Sequence, residues 1–217
     1  MQGLPRGVRF ALFVGINGAL LLTIGVAFWF QDWQYALPTP RPDGLFQPAL
    51  GSRPELPAAL QSLRNPGRPL LVHFASAQCP CTEFNLDHVR TFQKNFGGRV
   101  DFVVVLQTNS APEEATREFD GLHLSMSRVV DRDGQTAAAL GVYGTPQAAL
   151  LDADGHLFYR GNYNRSRYCQ DESSEFVRIA LSALVSGRVL PNLPQQAFVT
   201  FGCPLPRSLA RRPGEGS

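Results

Sequence analysis

Residues Leu70 to Asn85 constrain this chain more than any other stretch. Leu70-Leu71-Val72-His73-Phe74-Ala75 leads through Ser76-Ala77-Gln78 to Cys79-Pro80-Cys81, and Thr82-Glu83-Phe84-Asn85 follows. The apolar run predicts a strand buried on both faces, and the amphipathic residues beyond the cysteines predict a helix. Pro80 suits the first helical position, because the amide hydrogen it lacks would have had no intrahelical acceptor. Cys79 is then the N-cap, with its sulfur near the amides of Cys81 and Thr82 and the positive end of the helix dipole. Both favour thiolate over thiol, so Cys79 is the expected reactive sulfur. Cys81, one position further in, is the expected resolving partner. A bond between residues i and i+2 would close a small, strained and easily reduced ring. The plainer alternative is a pair of buried structural cysteines near a helix start.

Two motifs carry a resemblance. Val72-His73-Phe74 leading into Cys79-Pro80-Cys81 resembles the active-site strand and turn of thioredoxin-like proteins, with one residue fewer between the cysteines and Gln78 in place of the family's tryptophan. Downstream, Gly141-Val142-Tyr143-Gly144-Thr145-Pro146-Gln147 and the run to Asp152 resemble that family's Thr-cisPro segment and the strand after it. The resemblance covers residues 54–187 and implies an α/β thioredoxin-like sandwich with a central mixed sheet. It also implies that Thr145 and a cis Pro146 present substrate backbone to the cysteines. An X-Pro bond is the one peptide bond where cis is readily reached. His73 matches a buried acidic residue of the family that assists proton transfer at the resolving cysteine. A histidine there would do the same near neutral pH; the alternative is a neutral core histidine satisfied by one hydrogen bond.

Phe10 to Phe30 carries no charge and is long enough to span a bilayer. Arg6 and Arg9 precede it and Asp32 follows, which places residues 1–9 in the cytoplasm and the rest outside. Trp29, Trp33 and Tyr35 fall where an interfacial aromatic belt would lie. A cleaved signal peptide competes with this reading, but no small-x-small site follows the run, and an anchor is preferred. The expected organisation is a single-pass inner-membrane helix at 10–30, a Pro-rich linker at 31–53, a periplasmic domain at 54–187 and a tail at 188–217. A net charge of +2 over 217 residues gives no case for nucleic acid.

Inside the domain, periodicity predicts a short helix after Pro54, strands at Pro69–Ala75 and Val100–Gln107, and helices at Cys81–Phe96 and Ala111–Phe119, the last capped by Ser110. A strand at Leu122–Val130, a helix at Gly134–Leu140, an Asp-Gly hairpin about Ala153-Asp154-Gly155, and a closing helix at Asp171–Ser186 complete it.

Cys169 and Cys203 remain. Four cysteines in an exported chain allow three pairings. The simplest makes Cys79 and Cys81 the redox pair and Cys169–Cys203 a staple for the tail; the alternative uses Cys203 or Cys169 as a mobile resolving thiol that attacks a mixed disulfide at Cys79. The leading functional expectation is a bacterial, membrane-anchored, monomeric thiol-disulfide oxidoreductase acting on a protein thiol or disulfide, without a cofactor. A copper(I)-handling protein using Cys79 and Cys81 is the second reading. The chain then resembles copper chaperones of cytochrome oxidase assembly, whose histidine ligand is matched here by residue type only, at His123 or His156. A peroxidase, suggested by Ser76 three residues before Cys79, and a non-catalytic interaction domain complete the alternatives.

Overall fold

The computed structural model describes residues 5–165 and 171–205, and the chain divides into two compact units, Met1–Leu37 and Pro38–Ser217. In the first, helix α1 (Arg6–Phe28) runs through a π-helical turn at Trp29–Trp33 into α2 (Gln34–Ala36). At 1.5 Å per residue, α1 alone is about 35 Å long, against roughly 30 Å of bilayer hydrocarbon. The two polar side chains in its apolar run bond back one turn: Asn17 Nδ2 donates to Phe13 O at 2.7 Å and Thr23 Oγ1 to Ala19 O at 2.9 Å. Apolar surroundings require such internal satisfaction. The helix is long and apolar enough to cross a membrane, a test that a signal sequence also passes.

The second unit begins with α3 (Ala58–Gln61), β1 (Leu70–Ala75), α4 (Pro80–Phe96), β2 (Asp101–Leu106), α5 (Pro112–Gly121) and β3 (Ser127–Val130). It continues with α6 (Gln135–Leu140), β4 (Gly144–Thr145), β5 (Gln147–Leu151), β6 (Leu157–Gly161), α7 (Phe176–Val185) and β7 (Cys203–Pro204). Five strands make one sheet in the order β3-β2-β1-β5-β6. β1 and β3 run parallel to β2, whereas β5 is antiparallel to both β1 and β6. The hydrophobic strand β1 is therefore central, and every one of its residues is buried.

Alternation along β1 divides the core in two, because successive side chains point to opposite faces. Leu71 and Ala75 join Val104, Leu106, Ala148 and Leu150 under α4 and α7. Leu70, Val72 and Phe74 join Val103, Val105 and Ala149 under α3 and α6, where Leu60 and Leu140 are fully buried. Each such side chain contributes about 1.5–3 kcal/mol on burial. Helices on both faces of a mixed sheet, in this order and with a cis Thr145–Pro146 bond, make the unit a thioredoxin-like sandwich.

Three local expectations are corrected. The strand expected from Leu122 starts only at Ser127, because the chain turns at His123, whose φ of 51° is incompatible with an extended strand. Ser110 does not cap α5: the N-cap is Ala111, Pro112 opens the helix, and Ser110 Oγ donates to Glu118 Oε1 at 2.8 Å. The closing helix starts at Phe176, after a separate 3-10 turn at Glu172–Ser174 that Asp171 caps by accepting from the Ser173 amide.

Within the second unit, residues 38–52 pack onto the sheet domain. Thr39 and Leu45 are buried, and Gly51 and Ser52 exchange backbone hydrogen bonds with Leu157 of the end strand β6. An edge paired in this way is no longer open to a passing chain.

Candidate functional site

Strand β1 delivers the chain to the start of α4, where Cys79 is the N-cap in an extended conformation and Pro80 is the first helical residue. The turn is knitted by Ser76, whose carbonyl accepts from the Cys79 amide at 3.1 Å and the Thr82 hydroxyl at 2.8 Å. Thr82 Oγ1 also lies 3.5 Å from Thr145 Oγ1, which ties the turn to the cis-proline segment. The Thr82 amide donates to the Cys79 carbonyl at 3.0 Å and not to its sulfur. No side-chain capping bond forms. The helix therefore acts on Cys79 through its dipole, a field that favours negative charge at an N-terminus.

The sulfur pairing departs from the expected one. Cys79 is bonded to Cys203, with Cα atoms 5.9 Å apart across 124 residues of sequence. The expected staple between Cys169 and Cys203 is thereby overturned, and Cys79 is not joined to Cys81. Cys169 itself lies outside the described residues. Cys81 is a buried thiol, and the Sγ atoms of Cys79, Cys81 and Cys203 all lie within 4.8 Å of one another. Side chains at i and i+2 do not face each other squarely at a helix start, whereas a strand laid across the turn can bring a sulfur directly to the N-cap.

That strand is β7. It pairs antiparallel with β4, placing Thr145 opposite Cys203 and Gly144 opposite Pro204. The Leu205 amide donates to Tyr143 O at 3.0 Å. On the other side Pro38 bridges to Phe201, the Thr39 amide donates to Thr200 O at 2.8 Å, and Thr39 Oγ1 donates to Gly202 O at 3.2 Å. The approach is close enough to demand glycine. At Gly202, with φ of +109°, an added Cβ would stand 2.3 Å from Thr145 O. Thr200 is anchored behind it: Gln147 Nε2 donates to its hydroxyl at 2.8 Å, and Asn162 Nδ2 donates to the carbonyl of the preceding Val199.

Thr145 and Pro146 stand where the sequence placed them, with Thr145 fully buried, its carbonyl 3.6 Å from Cys79 Sγ and the following bond cis. His73 is also fully buried, and Nδ1 lies 2.8 Å from the Tyr163 hydroxyl. Burial raises the Tyr163 pKa and pushes His73 down to about 3. Tyr163 therefore keeps its proton and shares one hydrogen bond with Nδ1, whose direction follows the imidazole tautomer, and Nε2 is buried without a partner among the described residues. Such a ring stays neutral at physiological pH. Of the two expectations for His73, its surroundings favour the core histidine over a proton carrier.

The histidines considered as metal ligands are elsewhere. His156 pairs with Asp152 at 3.1 Å in the β5–β6 hairpin, and His123 sits at the turn before β3, its carbonyl accepting from Arg90. Ser76 Oγ donates to Gln78 Oε1 at 3.0 Å.

Residues 51–203 match the domain of unknown function DUF6436. The chain belongs to that family. The DUF6436 match ends on Cys203 itself, so both halves of the disulfide fall within the matched span. No curated protein matches the chain. Among solved structures, a hypothetical protein from Sinorhizobium meliloti 1021 is 21% identical, covering 74% of this chain and 95% of its own with a TM-score of 0.61. An uncharacterized conserved protein from Geobacillus kaustophilus is 20% identical, covering 78% and 97% with a TM-score of 0.59. Both share the fold. A secreted Mycobacterium tuberculosis disulfide oxidoreductase is similar at 23% identity over 57% of this chain and 86% of its own, with a TM-score of 0.44, too distant to bear on activity.

The role of Cys203 was invisible to periodicity, since residues 188–205 carry no amphipathic repeat. The usable signals were an even cysteine count and a Gly-Cys-Pro step, and neither specifies a partner.

Proposed function

We propose that this DUF6436 chain is a membrane-tethered thiol-disulfide oxidoreductase acting on protein thiols on the outer side of the cytoplasmic membrane, with Cys79 and Cys203 as its exchanging pair. One observation carries the reading: a disulfide whose first sulfur belongs to the N-cap of a 17-residue helix, set against a cis-proline segment, with a third sulfur within 4.8 Å. A purely structural staple has no use for that third sulfur. The apolar N-terminal helix supplies the tether, and the domain works as a monomer.

In the oxidising direction, a substrate thiolate attacks Cys203 Sγ. Cys203 is the half-buried member of the pair, whereas Cys79 is 4% exposed. The sulfur–sulfur bond breaks and its electron pair leaves on Cys79, the better leaving group because the helix N-terminus stabilises its thiolate. The product is a mixed disulfide between substrate and Cys203. A second substrate thiolate attacks the substrate sulfur of that bond and expels Cys203, which takes up a proton. Two substrate thiols become one disulfide, and Cys79 and Cys203 end as thiols; the reverse sequence reduces a substrate disulfide. Cys81 is in reach to attack Cys79 and displace Cys203, but the i,i+2 bond formed would be strained, so that isomer is transient.

The test is a redox titration of the detergent-solubilised full-length chain across glutathione ratios, read by mass spectrometry after thiol alkylation. Reversible opening of the Cys79–Cys203 bond, together with catalytic oxidation of a reduced, unfolded protein, is the expected result. A bond that stays closed across the whole glutathione range sinks the proposal.

A further inference from the structure

We propose that, once Cys79–Cys203 is reduced, Cys79, Cys81 and Cys203 form a three-sulfur site for a soft monovalent metal ion, copper(I) being the fit. The donor set comes from three segments, the N-cap and first turn of α4 and the tail strand β7, and its sulfurs already lie within 4.8 Å of one another. Three thiolates about one ion with metal–sulfur distances of about 2.3 Å stand roughly 4.0 Å apart in a plane. Cys81 therefore needs little movement. Cys79 and Cys203 must only swing apart from bonding distance by side-chain rotation, with Cα atoms that are 5.9 Å apart.

Reduction does not by itself release β7. Thr200 on one side is 1% exposed and bonded to Gln147, and Leu205 on the other is 7% exposed in the core, with its amide on Tyr143 O. Between these anchors, Cys203 is paired with Thr145. The scaffold that presents the third sulfur is thus independent of the bond it makes.

The identity of the ion follows from the donors. Among the described residues no histidine or carboxylate joins this cluster; His156 belongs to a separate group with Asp152 and Asp154. Soft thiolates select copper(I), whereas structural zinc sites close with four ligands, and among the described residues no fourth cysteine, histidine or carboxylate joins the three sulfurs. A dithiol reductant supplies two electrons and two protons to open Cys79–Cys203, and copper(I) then replaces thiol protons. An added disulfide oxidant such as oxidised glutathione takes two electrons from Cys79 and Cys203 and leaves as two thiols, which re-forms the bond, removes two donors and releases copper(I). The inference shares with the proposed function only the reduced state of Cys79 and Cys203, which a strong dithiol produces whether or not the pair exchanges with glutathione.

The experiment is an anaerobic titration of the full-length chain, reduced with excess dithiothreitol and desalted, with copper(I) in competition with bicinchoninate. Thiolate-to-copper charge-transfer absorption is recorded in parallel. One copper(I) per chain is expected, lost in Cys79→Ser, Cys81→Ser and Cys203→Ser, kept in Cys169→Ser, and absent from the oxidised protein. Circular dichroism of each serine variant checks that the fold survives; a variant that fails it is replaced by the corresponding alanine. Retention of binding in the Cys203 variant, or its loss in Cys169→Ser, overturns the three-sulfur site, as does no binding to the reduced wild type. Copper(I) binding by a protein whose disulfide ignores glutathione would sink the oxidoreductase reading and leave this one standing.

Discussion

Cys81 stands two residues from Cys79 and Cys203 stands 124 away, yet the distant cysteine makes the bond. The start of α4 is a local structure: an apolar strand, a tight turn and Pro80 at the first helical position follow from residue chemistry within one short stretch. The tail from Thr200 to Leu205 is the opposite case. It has no periodicity and takes its strand conformation from what it lies between, β4 on one side and Pro38 and Thr39 on the other. Proximity along the chain put Cys79 at the helix N-cap; proximity in space chose its partner.

The comparison breaks first at Cys203→Ser. That variant loses the covalent closure of a 124-residue span. By the loop-entropy argument this costs about 4–5 kcal/mol of stability, and the variant should lose thiol oxidation altogether. Urea unfolding and an assay on a reduced protein substrate read the two effects. If the stability falls but oxidation persists at the wild-type rate, Cys79 has another partner and the tail is only a staple.

A second effect belongs to β1, the strand that leads into the Cys79 turn. Burial holds the His73 pKa at about 3 in the folded chain, against roughly 6.5 when unfolded. Between those values the unfolded state binds the extra proton, so stability rises with pH; the contribution is complete above about pH 6.5 and is lost as pH falls toward 3. Its size is on the order of a few kcal/mol, because each pH unit between the folded and unfolded values is worth about 1.4 kcal/mol. Unfolding midpoints measured from pH 3 to 8 should show this slope, and His73→Phe should flatten it. An unchanged slope in that variant would place the acid sensitivity elsewhere.

Gly202→Ala sharpens the contrast at the tail. A side chain there meets Thr145 O and strains a φ of +109°, so docking of β7 should weaken by about 1–3 kcal/mol. Faster alkylation of Cys79 and Cys203 at fixed glutathione potential is the expected sign, with the melting of α4 unaffected. Smallest of all, Cys81→Ser places a hydroxyl where a 2% exposed sulfur stood and should cost only about 1–2 kcal/mol. The Cys79–Cys203 bond should be intact in peptide mass maps; its loss would mean that Cys81 is needed to make that bond.

Much of the fold was legible because β1, α4, β2 and the β5–β6 hairpin are written in local patterns that also match their packing. His73 shows where such reading ends. Its position was plain, but its neutrality comes from complete burial between sheet and helices, which the packing of distant segments decides. The strand expected from Leu122 failed for a related reason. Leu122 and Leu124 are buried as an alternating strand would require, but they reach the core from a turn, and burial alone does not distinguish the two.

By itself, then, the sequence determined an apolar helix of membrane-spanning length, the thioredoxin-like order of strands and helices, a cysteine at a helix N-cap and a Thr-Pro step downstream. Hydrophobic period, proline geometry and turn chemistry act over a few residues and need no partner. Only the tertiary structure decided that Cys203 bonds Cys79, that Cys81 is the third sulfur of a cluster, and that the tail runs as a strand beside Thr145. Backbone pairing between distant segments is set by closure of the whole core, and no short-range pattern encodes which edge a tail will meet.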